Sequence, residues 1–175
     1  MGEQLWPQIV GVVGVLLGTS LGVIATWVTT QRQLSWQARL EAQKRFIEKM
    51  EALHDALSKL YGQAGQIQTV ALGIIGFERT LSDFDAKDHV STAEMHMLVE
   101  FYAPSLRPEA QRIEKGIQRL IEALAGAGLR PKLTDDEKTK FGIESIQGFK
   151  EVTAAIDIAK RKLHELVSPH AAVPK

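Results

Sequence analysis

The sequence predicts an all-α protein in which a single N-terminal transmembrane helix continues into a cytosolic up-and-down bundle of about four helices. Three observations lead there. No residue between Glu3 and Arg32 is charged, and residues 9–30 are almost entirely apolar or small. From Arg32 onward charges recur every few residues and apolar positions recur at helical steps, with scarcely any of the two-residue alternation of strands. The prolines, at Pro7, Pro104, Pro108, Pro131, Pro169 and Pro174, all fall where helix edges or loops are expected. The chain accordingly divides into a short extracytoplasmic N-terminus (1–8), a transmembrane helix (9–30), a long juxtamembrane helix (31–80), the remaining helices of the cytosolic bundle (81–167) and a flexible tail (168–175).

The chain's 175 residues suffice for one domain and an anchor. Lys and Arg number 21, against 21 Asp and Glu. That balance argues against a nucleic-acid binder, which needs a surplus of cations to neutralise phosphates. The chain has no cysteine, which excludes a disulfide scaffold, a thiolate zinc site and a cysteine nucleophile.

A helix rises about 1.5 Å per residue, so about 20 apolar residues cross a hydrocarbon core about 30 Å thick. Residues 9–28 meet that length. Trp6 and Trp27 bracket the run as an interfacial belt would, and Pro7 suits a first helical turn. Trp36 is expected to pack on the first cytosolic turns. A cleaved signal peptide would need a basic leader and a shorter apolar core, whereas here Glu3 is the only charge ahead of a long run. Arg32, Arg39, Lys44, Arg45 and Lys49 follow closely. Basic flanks stay inside, so the expected location is the cell (inner or plasma) membrane, with the N-terminus outside and the C-terminal domain cytoplasmic.

The glycines add an interaction surface. At about 100° per residue, Gly11, Gly14, Gly18, Gly22, Ala25 and Thr29 fall within an arc of about 80°. In lipid there is little hydrophobic drive between helices, and a face without side chains lets backbones approach and gain dispersion contacts. Glycine is also simply common in membrane helices.

No breaker follows the anchor until Gly62. Phe46, Met50, Leu53, Leu57, Leu60, Ala64, Ile67, Ala71 and Ile74 recur at alternating steps of four and three, a sustained heptad seam. Ile47, His54, Tyr61 and Ile75 widen one flank, which favours an intramolecular bundle over a coiled coil between chains. Residues 60–77 carry no charge and hold Gly62, Gly65, Gly73 and Gly76, so a break there or a second membrane-entering segment are alternatives to a buried helix.

Residues 81–90 read as a loop. Ser91–Glu94 and Thr134–Glu137 are capping-box patterns that open helices. The helix before Pro104 is short. The next carries Ile113, Ile117, Leu120, Ile121 and Leu124 and ends at Gly126-Ala-Gly128. The last carries Phe141, Phe149, Val152, Ile156, Ala159, Leu163 and Leu166, and Ser168-Pro169 is expected to stop it. An even number of helices returns the last one toward the membrane, where Lys160, Arg161 and Lys162, with Arg32 and Arg39, would meet an anionic leaflet.

Chemical motifs are thin. Glu51-x-x-His54 is half of a di-iron carboxylate pattern without its second half. Asp83, Asp85 and Glu94 stand at calcium-loop positions, but Lys87 and Asp88 occupy places that need an oxygen ligand and a glycine. His96 and Glu100 are placed for a surface pair. Gly126-x-Gly128 lacks the Walker lysine. The expectation is no enzyme, no catalytic or metal site and no cofactor. Expected partners are membrane lipid and either a homo-oligomer or another membrane protein, with no nucleic acid. The function expected is that of a scaffold or regulatory and accessory subunit associating through the glycine face. The alternative is an oligomeric effector, a pore-former or permeability switch gated by the helical domain.

Overall fold

The computed structural model describes the backbone of residues 5–77, 91–130 and 132–171, and the side chains of residues 26–76, 91–130 and 132–168. It is all-helical: α1 (Leu5–Phe77), α2 (Ala93–Tyr102), α3 (Arg107–Gly128) and α4 (Asp135–Ala171), with a 3-10 turn at Pro104–Leu106. No strand occurs among the described residues. Two compact units, Met1–Arg45 and Phe46–Lys175, divide inside α1.

The first unit is helical from Leu5. The hydroxyls of Thr29 and Thr30 donate to the Thr26 carbonyl at 3.0 and 2.8 Å, and that of Ser35 to the Arg32 carbonyl at 2.9 Å. Polar groups in this segment are thus returned to the helix's own backbone. Trp27 and Trp36 are 64% and 63% exposed. Trp36 therefore does not pack on the neighbouring turns, whose side chains, one helix wide, cannot cover an indole. Among the described residues no helix is long and apolar enough to cross a membrane. Most of the apolar run lies in residues 9–25, outside the described side chains. The transmembrane expectation therefore rests on the sequence.

The second unit is an up-and-down bundle of four helices. The seam of α1 is its spine: Met50, Leu53, Leu57, Leu60, Ala64, Ile67, Ala71 and Ile74 are buried, and Phe46 packs against the core. Contacts across the bundle give its directions. Ser58 and Tyr61 of α1 meet Lys160 and Phe149 of α4, so the two helices run antiparallel. Gly116 and Gly126 of α3 meet Val152 and Phe141 of α4, again antiparallel. The Pro104–Leu106 turn reverses α2 into α3. The layer where Leu53, Leu57, Val99, Leu106, Ile113 and Ala159 converge draws on every helix. Full burial of one such side chain stabilises the fold by about 1.5–3 kcal/mol.

α1 stays helical past Gly62, Gly65 and Gly73 to Phe77. Each glycine costs about 1 kcal/mol in a helix, and burial of Ala64, Ile67, Ala71 and Ile74 on one face outweighs that. The same burial makes residues 60–76 a core helix of the bundle. α2 has 10 residues against 22 in α3, so the second helix spans only part of the bundle. Its expected capping box does not form. Thr92 takes the cap position, Ser91 Oγ only accepts from the Ala93 N–H at 3.4 Å, and Glu94 falls one position short of reaching back. The second box does form: Thr134 N–H donates to Glu137 Oε2 at 3.0 Å, and Glu137 N–H to Thr134 Oγ1 at 3.3 Å.

α3 ends at Gly128, within the expected Gly126-Ala-Gly128 stop, whereas α4 runs through Pro169 to Ala171, where a proline removes only one bond of the last turns. Gly126 lies against the Phe141 ring, where an added Cβ would come within 2.5 Å of Cε1. α3 and α4 also approach closely at Gly116 and Gly148. A Cβ on Gly116 would stand 2.7 Å from Val152 Cγ2, and one on Gly148 would stand 3.0 Å from the Gly116 carbonyl oxygen.

Gly116→Ala and Gly148→Ala should each lower the unfolding midpoint of the full chain in denaturant, at a cost of about 1–3 kcal/mol. Gly62→Ala, with nothing within 4 Å of its added methyl, should raise it by about 0.4–1 kcal/mol. Thr134→Ala removes one member of the formed capping box and should cost about 1 kcal/mol. Circular dichroism of the four variants measures all of these.

Candidate functional site

Of the glycine face, Gly11, Gly14, Gly18, Gly22 and Ala25 lie outside the described side chains, and Thr29 is exposed. Arg32 and Arg39 are exposed in the first unit. The seam residues Met50, Leu53, Leu57, Leu60 and Ile67 lie in the bundle core, with Phe46 half-buried at its edge. The basic triplet near the end of α4 is drawn into the bundle. Lys160 Nζ donates to Ser58 Oγ of α1 at 2.9 Å, Lys162 Nζ to Glu109 Oε1 of α3 at 2.9 Å, and Arg161 Nε to the Asp157 carbonyl at 3.4 Å. Two of the three cations thus tie α4 to both of its neighbours.

Glu109 is the most unusual polar residue of the bundle. It is 4% exposed, in the first turn of α3. One oxygen is held by Lys162, whose side chain remains 44% exposed, and the other has no hydrogen-bond partner. The positive end of the α3 dipole favours a carboxylate here. The signal was present in the sequence: Glu109 stands four residues before Ile113, on the apolar stripe of α3. Ser145 is also fully buried, with its hydroxyl unpartnered, and stands midway between Phe141 and Phe149 on the stripe of α4.

Other charges pair helices at the surface. His96 does not meet Glu100. Its Nε2 lies 3.3 Å from Glu114 of α3, while Glu100 takes Arg107 across the turn. The turn brings α3 alongside α2, so His96 and Glu100 face groups across it, although His96 Nε2 makes no hydrogen bond there. Arg119 pairs with Glu151, and Arg130 pairs with Glu137 and lies 5.7 Å over the Phe141 ring. His54 faces solvent beside Asp55, and among the described residues no three His, Asp or Glu come together to hold a metal. Asp83, Asp85, Lys87 and Asp88 lie outside the described residues.

An open-sided cavity of about 160 Å³ lies between α1 and α2, lined by Ala56, Lys59, Leu60, Gln63, Ser91, Glu94 and Met95. It offers hydrogen bonds and one charge of each sign. No family model, curated protein or solved structure matches the chain.

Removing Lys162 strands a buried carboxylate, whereas removing both partners does not. Lys162→Met should therefore cost about 1–3 kcal/mol, below the range for a fully buried pair because the lysine is half-exposed. The double variant E109M/K162M should recover most of that loss. A double-mutant cycle in urea measures the coupling.

Proposed function

We propose that the chain is a single-pass membrane-anchored helical scaffold or regulatory subunit, associating in the bilayer through Gly11, Gly14, Gly18, Gly22, Ala25 and Thr29. One observation carries the reading: residues 9–30 form an uncharged run of bilayer length, with Trp6 and Trp27 at its ends and a basic flank on one side only. The flank gives the topology, with the bundle in the cytoplasm. The bundle supports the scaffold role, because ion pairs such as Glu109–Lys162 and Arg119–Glu151 join its helices to one another. Arg32 and Arg39 lie just past the membrane on this reading.

Three measurements test it. Alkaline carbonate should leave the chain in the membrane pellet, and protease added to the cytoplasmic face should digest the bundle. Gly18→Ile should weaken association by about tenfold or more in a crosslinking assay while membrane retention stays unchanged. Release into the carbonate supernatant would overturn the anchor. A collapse of membrane potential on induction, abolished by Gly18→Ile, would favour the permeability effector over the scaffold.

A further inference from the structure

We infer that the membrane helix is built to pair with a different chain, one whose helix carries acidic residues just past the cytoplasmic face, rather than with a second copy of itself. The inference rests on the membrane-helix reading above and names the partner of the same face.

The glycine face does not stop at the membrane boundary. Gly11, Gly14, Gly18, Gly22, Ala25 and Thr29 follow each other at steps of three and four, and the next positions of that alternation are Arg32, Trp36 and Arg39. Both arginines are exposed, and Trp36 is 63% exposed. Among the described residues neither guanidinium is paired, whereas Arg45 of the same unit reaches Glu41 at 3.9 Å. The seam thus leaves the bilayer as a cation, an aromatic ring and a second cation.

Copies of a single-pass chain share one orientation, so two of them pair in parallel and each seam residue faces itself. Arg32 would oppose Arg32, and Arg39 would oppose Arg39. No acidic residue stands on the seam between Gly11 and Arg39 to answer them. Like charges at facing positions disfavour that pairing. A partner carrying Asp or Glu at these two levels would instead accept charge-assisted, two-pronged hydrogen bonds from the guanidiniums. Trp36 between them supplies a large rigid apolar contact. Anionic headgroups fit less well. At about 1.5 Å per residue Arg39 stands about 10 Å beyond Arg32 along the helix, about one Debye length. A headgroup layer that holds the first arginine therefore reaches the second weakly, whereas a helix running alongside meets both.

The absence of cysteine makes the test clean. Gln31→Cys, off the seam, gives one labelling site on the full chain. Energy transfer is measured in uncharged phosphatidylcholine vesicles between the labelled chain and its R32E/R39E variant, which serves as the acidic partner. The mixed pair should associate at least about tenfold more tightly than either like pair, and the preference should fall at high salt. K44E/R45E, with the same charge change off the seam, should show no such preference. Like pairs of the unaltered chain as tight as the mixed pair would overturn the inference. So would a preference that appears only when anionic lipid is added, which would assign the arginines to headgroups. Vesicle flotation separates the two readings. A chain that fails to float refutes the membrane helix itself, and one that floats without mixed-pair preference refutes only the acidic partner.

Discussion

The close approach of α3 and α4 at Gly116 and Gly148 is the contact on which the bundle's geometry depends. Ordinary side chains would hold two helices about 8–10 Å apart. Here the backbone carbonyl oxygen of Gly116 lies 3.0 Å from where a Cβ on Gly148 would stand. With the two axes drawn together at that point, the rest of the antiparallel pair falls into register. Arg119 meets Glu151 near the crossing, Glu109 meets Lys162 toward one end, and the Phe141 ring covers Gly126 toward the other. The small residues on these helices, Ala123, Ala127, Ser145 and Ala155, are buried alongside. Close packing there gains many weak dispersion contacts, and an extra methyl at the crossing would force its neighbours to shift.

The polar groups of the bundle follow from the same closeness. Lys160 and Lys162 leave α4 toward opposite neighbours, one to Ser58 of α1 and one to Glu109 of α3. A half-exposed lysine lets its ammonium keep some water while holding a carboxylate that has lost nearly all of its own. A pair of this kind contributes little net stability but penalises any arrangement that separates its members. It sits where α3 begins and α4 nears its end, so it fixes the register of both helices at that end of the bundle.

The chain joins two physically different surfaces. The bundle buries an apolar core and joins some of its charges across helices, while Phe101 and Leu129 stand 75% and 78% exposed. The described part of the first unit leaves Trp27, Leu34 and Trp36 more than half exposed and carries basic charge beyond what its acids answer. On the proposed reading the first unit finds its partners in lipid and in another helix.

The helix count, the seam of α1 and the second capping box were legible in the sequence, because each depends on spacing within one helix. Every member of the seam from Met50 to Ile74 is a core residue for that reason. What the sequence by itself determined is therefore local: the periodicity of the helices and the second capping box. Glycine's role was not local. Gly126 stands in the stop that ends α3, and its missing side chain also makes room for the Phe141 ring of α4. Glu109 stands on the apolar stripe of α3, but its partner Lys162 comes from α4, and the turn at Pro104 brings Glu114 to His96 in place of Glu100. Which neighbour a residue meets depends on how distant helices pack, and only the tertiary structure decided that, since burial against another helix is worth more than the local preference it overrides.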